Sequence, residues 1–224
     1  MERSWQRACL AFLAAAIILG GTAQGAVIAQ YSFTGSTLNP TSVAPDVTAG
    51  AITGSPTVNG QATSVLTVTN GIYASAPFLA AARATPTESG TRANVYFTFT
   101  VDASDGNELD LSNLTFNVAR GGAATPRDYD IRSSIDGFAT SLTGIIAILT
   151  ERPTFTPVSV DLSGAAFQDL VSPITFQVRF FTPGVSQNVD FDDIVLNGAV
   201  AAVPEPNGLA TLVIGAFMLR RRRR

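Results

Sequence analysis

The 224-residue sequence predicts an all-β protein, an antiparallel β-sandwich of jelly-roll type flanked by an N-terminal signal peptide and a C-terminal hydrophobic helix. Three observations carry that expectation. About nine or ten short runs place β-branched or aromatic residues at alternate positions, the period-2 pattern of half-buried strands. Turn signals recur roughly every eight to twelve residues, as Asn-Gly, Asp-Gly or Gly/Pro/Ser clusters. Between the two ends of the chain almost nothing repeats at the helical period of about 3.6 residues.

Val27 to Thr34 alternates and stops at Gly35, which predicts a first strand. Pro40, Pro45, Gly50, Gly54 and Pro56 punctuate residues 35–60, so a long loop or short edge pieces are expected there. Ser64–Thr69 and Ile72–Ser75 are β-prone around an expected turn at Asn70-Gly71, and Ala80–Ala84 suits a helical turn. Val95–Val101 alternates β-branched and aromatic residues and leads to a turn at Asp105-Gly106-Asn107. Leu109–Leu111, Leu114–Val118 and Tyr129–Ile135 follow as strands, the last ending at Asp136-Gly137. Leu142–Leu149 reads as a buried strand, Val158–Leu162 as another, and Gly164–Leu170 as a helix of about two turns. Ile174–Thr182 and Val189–Leu196 complete the set, the second closing at Asn197-Gly198. A well-formed first and last strand imply a jelly roll with its termini close together.

The first residues are tripartite: Glu2–Arg7 is short and basic, Ala8–Gly21 is apolar, and Ala23-Gln24-Gly25 offers small residues at the −3 and −1 positions. That is the layout of a secretory signal peptide, with cleavage expected after Gly25, or else after Ala23. An uncleaved N-terminal anchor is the alternative. The lone cysteine, Cys9, lies in this leader, so the body carries no disulfide and no thiol nucleophile. The chain has no His and no Lys, which excludes Ser-His and zinc-hydrolase constellations. Residues 26–202 hold seven Arg against fifteen acids, a net charge near −8 that the whole-chain value of −3 hides. An acidic body argues against a nucleic-acid partner, which demands phosphate neutralisation.

The last twenty-two residues have a different character: Val203-Pro204-Glu205-Pro206, an apolar run to Leu219, and then Arg220, Arg221, Arg222, Arg223 and Arg224. The prolines keep Glu205 extended and accessible, and the arginines are barred from hydrocarbon and held on the cytoplasmic side. As a helix Leu209–Leu219 rises only about 16 Å against a hydrocarbon thickness of about 30 Å, a short anchor suited to transient inner-membrane insertion. This order resembles the PEP-CTERM tail of exported bacterial proteins, whose Pro-Glu-Pro motif, hydrophobic helix and basic end are recognised by an exosortase. The resemblance covers about a tenth of the chain. It implies cleavage near Pro204–Pro206 and release to the outer surface or the extracellular matrix of a Gram-negative-type bacterium; an uncleaved single-span anchor is the alternative. The body is similar, more loosely, to secreted jelly rolls of the carbohydrate-binding and concanavalin-like kind, through Ile28–Phe33 and Asp190–Leu196. Ser133–Phe138 is similar to stretches in other bodies carried on such tails.

Candidate chemistry is sparse. Asp190, Asp192 and Asp193 form the densest acidic group, and on a regular strand Asp190 and Asp192 share one face while Asp193 takes the other. A structural calcium there is one reading, with no acid on the first strand to help; a solvated edge is the other. Otherwise no cofactor is expected. Asp102, Asp105, Asn107, Glu108 and Asp110 lack calcium-loop spacing and read as hairpin chemistry. Glu88 and Glu151 sit in Thr/Pro-rich loops that would not raise a catalytic pKa, so no catalytic residue is expected. Trp5 being in the leader, the aromatic platforms left for a sugar are Tyr31, Tyr73, Tyr96, Tyr129 and the phenylalanines, most of which the core explains, and the sequence singles out none of them.

The expected organisation is a signal peptide over 1–25, a sandwich over 26–198, a linker over 199–202 and a sorting tail over 203–224. The expected protein is an exported, non-enzymatic component of the cell surface or biofilm matrix, with exosortase as processing partner and exopolysaccharide or matrix proteins as companions. The alternative is a carbohydrate-binding module of the exopolysaccharide matrix, and a glycan-processing enzyme stands third.

Overall fold

The computed structural model describes residues 25–34, 37–54, 57–58, 61–62, 64–73, 76–86, 96–123, 126–182 and 189–203, with residues 57–86 described in backbone alone. The leader through Gln24 and the tail from Pro204, including the arginines and Ala23, lie outside the described residues, as does Glu88.

The chain runs β1 (Ala26–Tyr31), β2 (Ser42–Val43), β3 (Val47–Ala49), β4 (Thr53–Gly54), β5 (Thr57–Val58), β6 (Gln61–Ala62), β7 (Ser64–Tyr73) and β8 (Ala76–Pro86). It continues β9 (Tyr96–Ala103), β10 (Asn107–Arg120), β11 (Asp128–Ser133), β12 (Ile146–Ala147), β13 (Thr156–Asp161), β14 (Ile174–Phe181) and β15 (Val189–Ala202). One sheet is ordered β13-β10-β15-β1-β2, with β8 on β15 and β7 on β8; the other is ordered β12-β11-β14-β9-β3, with β4 on β9. Every ladder between these strands is antiparallel. Counted in chain order from β1 through β9–β15, the main strands run 6-3-8-1 and 5-4-7-2, the jelly-roll arrangement. β1 lies against β15, so the first and last strands are neighbours, as a jelly roll requires.

Alternation builds the core. Phe97, Phe99 and Val101 of β9, Phe176, Val178 and Phe180 of β14, and Tyr129 and Ile131 of β11 face Leu114, Phe116, Val118, Phe191, Ile194 and Leu196 from the other sheet. Phe191 is the hub, with ring centroids 5.0 Å from Phe97, 5.9 Å from Phe116, 6.3 Å from Tyr129 and 6.4 Å from Phe180. Aromatic rings from both sheets meet edge-on there, which adds to the area they bury.

Several sequence expectations are corrected. Residues 109–118 form one strand, β10, which absorbs the break between its two expected halves as a ladder irregularity between Leu111 and Asn113. Asn197-Gly198 does not close the last strand, and the expected linker 199–202 is strand, paired with Asn107–Asp110. Asn70-Gly71 likewise lies inside β7 at a register irregularity, and Ala80–Ala84 is strand within β8, paired on both sides. The Leu142–Leu149 run yields only β12, with Leu149 78% exposed, because β12 is the outermost strand of its sheet. Gly164–Leu170 gives a single 3-10 turn at Ala165–Phe167 that buries Phe167. The turn at Gly106 (φ 81°) is present, but it is a corner between the sheets and not a hairpin, since β9 and β10 belong to different ones.

These ladders give the sandwich two poles. Ala103, Asn107, Gly198 and Ala202 mark one, where Val203 N–H donates to the Gly106 carbonyl at 2.9 Å. Tyr96, Arg120, Asp128 and Val189 mark the other, about 40 Å away along β15.

Candidate functional site: a polar sheet face

The same alternation that sends phenylalanines inward sends hydrogen-bonding side chains outward on β11, β14 and β9. Register aligns them in rows across three strands: Asp130–Arg179–Tyr96, then Arg132–Gln177–Thr98, then Thr175–Thr100. Thr100 and Thr175 share a hydroxyl hydrogen bond at 2.7 Å, and Thr98 and Thr53 share one at 3.1 Å. Arg132 Nε donates to Asp130 Oδ2 at 2.8 Å, and Arg179 Nε donates to Gln177 Oε1. Asp130 is only 2% exposed, whereas Tyr96, Arg132 and Arg179 are half-buried and reach solvent.

The loop after β11 frames this face. Gly137 (φ 68°) and Phe138 (φ 64°) turn the chain through left-handed backbone, and the Asp136 carboxylate accepts the N–H groups of Ala139 at 3.1 Å and Thr140 at 2.8 Å. A hydrogen bond from the Thr140 side chain holds the Asp136 pKa below its ordinary value, and those backbone bonds act in the same direction. Arg132 Nη1 then donates to the carbonyls of Phe138 and Ala139, and Ser134 Oγ accepts the Thr175 N–H at 2.9 Å. One guanidinium therefore holds a buried carboxylate with one edge and a loop with the other. Burial and the neighbouring Arg132 lower the Arg179 pKa, while Asp130 and Tyr96 oppose them. Two planar cations, a row of threonines and one phenol ring reach solvent above the buried Asp130 and Gln177 and make a surface for hydroxyl-rich ligands. Of the β11 carboxylates on this side, Asp130 is sealed under Arg132 and Asp128 is buried.

Sequence reasoning named Tyr96 only among the aromatic candidates and missed its companions. The signal was present in the polar members of Tyr96–Thr100, Asp128–Arg132 and Ile174–Arg179, but register was needed to align them. Of the other tyrosines, Tyr31 donates to the Gly50 carbonyl at 2.7 Å inside the sandwich and Tyr129 is core; the Tyr73 side chain is not described. Burial raises the Tyr129 hydroxyl to a pKa of about 12.

The acidic trio lies on the opposite sheet. Between Thr115 and Asn117 the β10–β15 register slips, and Asp193 stands there in left-handed backbone at φ 51°. This bulge corrects the expected split, because it turns Asp193 to the outer side that Asp190 and Asp192 already occupy. Their partners differ. Asp190 is fully buried on Arg152 Nη1 at 3.0 Å, Asp192 accepts the Asp193 N–H at 2.8 Å, and Asp193 Oδ1 accepts from Gln30 Nε2 at 2.8 Å. Burial raises the Asp192 pKa to about 6, with repulsion from Asp193 adding and the backbone bond subtracting. Burial raises Asp190 also, against the pull of Arg152 and Arg127. Among the described residues no group of three His, Cys, Asp or Glu is placed to hold a metal ion. In the second acid-rich stretch, Asp110 Oδ1 accepts the Asp169 N–H at 2.9 Å, a structural bond.

No protein-family model matches the chain, and no curated protein matches it in sequence. Among solved structures it is similar to the CBM22-1 xylan-binding domain of Paenibacillus barcinonensis Xyn10C (12% identity, TM-score 0.42, 80% of this chain and 98% of that one). It is similar also to TmCBM61 bound to β-1,4-galactotriose (10% identity, TM-score 0.40, 75% and 94%). A third is the K1 adhesin domain of Lys-gingipain from Porphyromonas gingivalis W83 (15% identity, TM-score 0.43, 76% and 97%). No activity or ligand is transferred across likenesses of this size.

Proposed function

We propose that this chain is an exported, non-enzymatic β-sandwich that binds polysaccharide on the outer face of β11, β14 and β9. The observation that carries the reading is the pair of aligned rows, Asp130–Arg179–Tyr96 and Arg132–Gln177–Thr98. Sugars are recognised by fixed planar donors and acceptors that meet adjacent hydroxyls, with an aromatic ring against the apolar sugar face. Here the side chains are held before a ligand arrives, by their neighbours and by the Asp136–Thr140 loop, so little ordering cost remains for binding. Glycan-array and affinity-electrophoresis measurements on the purified protein test it. Binding to one polysaccharide class, lost in Tyr96→Ala and Arg179→Ala, supports the reading. No binding to any glycan removes it and leaves a purely structural matrix component.

Export and sorting belong to the same reading. Val203 is tied to Gly106 where β15 ends, and Pro204-Glu205-Pro206 follows at once, so a cut there spares the sandwich. A leader cut after Gly25 leaves Ala26, the first residue of β1, as the new terminus. Both junctions lie at one pole, and the Tyr96 row lies toward the other. An exosortase acting at the prolines would free the body to the outer surface or the exopolysaccharide matrix. Intact-mass analysis of surface-extracted protein tests this: a mature species that ends near Pro206 is expected, and one that still carries Arg220–Arg224 overturns it.

A further inference from the structure

The pole farthest from Val203 holds a cluster that the sheet face does not use. Arg120 ends β10, Arg127 precedes β11, Glu151 and Arg152 lie between β12 and β13, and Asp190 opens β15. Backbone bonds fix the group in place: Arg120 N–H to Thr150 O at 2.8 Å, Arg152 N–H to Arg120 O at 3.1 Å, and Ile148 N–H to Arg127 O at 2.8 Å. Among the residues whose side chains are described, two carboxylates stand among three guanidiniums here. Asp190 is taken by Arg152 at 3.0 Å, and Glu151 is 3.9 Å from Arg120, whose Nη1 donates to the Ala123 carbonyl at 3.0 Å.

Arg127 is the residue out of balance. It is 3% exposed, and its Nε and Nη1 find no acceptor among the described residues; the buried Nε of Arg120 finds none either. Asp190 and Glu151 are near enough to act on Arg127 electrostatically, as is the Arg120 cation, yet its Nε and Nη1 donate to neither carboxylate. A buried guanidinium with unused donors is costly, and native proteins supply such groups with a partner. The group that meets several N–H donors of adjacent guanidiniums and offsets their surplus charge is an oxyanion, through charge-assisted and forked hydrogen bonds.

We propose that Arg127 and Arg120, with Arg152 beside them, form a binding site for a single oxyanion group: the carboxylate of an acidic sugar, or a free sulfate or phosphate. The site does not depend on the sheet-face reading, since neither Tyr96 nor Arg179 belongs to it. An acidic body gives it no long-range steering, so recognition is local and rests on geometry.

Thermal melting of the full protein tests it in low-millimolar sodium sulfate, sodium phosphate or sodium glucuronate against sodium chloride at equal ionic strength. A saturable rise of about 5 °C at a hundredfold excess over Kd is expected from at least one of the three. A response to glucuronate alone names an acidic sugar as the source, and a response to the inorganic ions alone names a free anion; either supports the site. The response is expected to vanish in Arg127→Met. If that variant does not fold, Arg120→Gln, changed at a partly exposed residue, is expected to weaken it at least tenfold. Equal melting in all four salts overturns the proposal, as does an undiminished response in whichever variants fold. Tyr96→Ala is expected to leave the response intact, which separates failure here from failure of the sheet-face reading.

Discussion

Asp192 accepts the backbone N–H of Asp193 on its own carboxylate, 2.8 Å away, at the residue where β15 slips against β10. That local bond steadies a left-handed backbone (φ 51°) on a residue with a Cβ, and the slip gathers three acids on one side of the sheet. Positive φ costs a β-branched residue far more than it costs glycine or asparagine. Asp193→Val is therefore expected to destabilise by about 2 kcal/mol, whereas Asp193→Gly changes stability little. Chemical denaturation of the two variants checks this, and equal losses would mean that the bulge is not strained.

The same pair gives the protein a pH dependence. Burial lifts the Asp192 pKa to about 6 from an ordinary value of 3.8, and Asp190 is raised in the same direction. A carboxyl with a raised folded-state pKa keeps its proton longer in the native state than in the unfolded chain. Its stabilising contribution is thus complete below about pH 4 and is lost as pH rises through about 6. Asp192→Asn keeps an oxygen for the Asp193 N–H and cannot ionise. It is expected to be more stable than the wild type at pH 7.5, by on the order of 2–3 kcal/mol, with the gain gone at pH 4. Melting curves across that range decide it; a variant that gains nothing at neutral pH refutes the assignment.

The two sheets, the aromatic core and most strands were legible in the sequence because alternation with β-branched and aromatic residues has a single physical meaning at a half-buried surface. What misled was the Asn-Gly dipeptide. Asn70-Gly71 and Asn197-Gly198 carry the strongest short-range turn signal, yet both lie inside strands at ladder irregularities. At Asn197-Gly198 the extra residue is Ser112 on β10 and Gly198 has no left-handed backbone, so the dipeptide marks a close approach between strands and not a turn. The Leu142–Leu149 run misled for another reason: apolar content does not say whether a sheet has room for a further long strand. The polar face was illegible because its rows join residues about fifty to eighty positions apart, and no local pattern encodes register at that range.

Gly198 shows what the dipeptide is for. It lies between Ala26 of β1 and Leu111 of β10, and a methyl group on it would run into the Asp110 carbonyl oxygen and press on Leu111 Cα at 3.0 Å. Backbone cannot swing aside as a side chain can, so Gly198→Ala is expected to cost about 1–3 kcal/mol. Gly164→Ala, where nothing lies within 4 Å of the added methyl, serves as the control and is expected to be near neutral. Thermal denaturation of the pair provides the comparison; similar stability in the two would show that the strands yield easily at Gly198.

Arg132 and Arg179 are next to each other on the proposed binding face, but they are held for different reasons, and substitution separates them. Arg132 neutralises a carboxylate that is 2% exposed and also fastens the loop at Phe138 and Ala139. Removing it leaves Asp130 charged, buried and unpartnered, so Arg132→Ala is expected to destabilise by about 3 kcal/mol. Arg179 donates to Gln177 and rests beside Tyr96, with no buried carboxylate depending on it alone. Arg179→Ala is therefore expected to fold with less than about 1 kcal/mol lost while glycan affinity drops by about tenfold or more, the cost of one good charged hydrogen bond. Asp130→Asn together with Arg132→Ala removes the stranded charge and should recover part of the stability without restoring binding. Denaturation midpoints and glycan titrations on the three variants measure both quantities. If Arg179→Ala binds as the wild type does, the ligand does not lie along the Asp130–Arg179–Tyr96 row, whatever the stability data show.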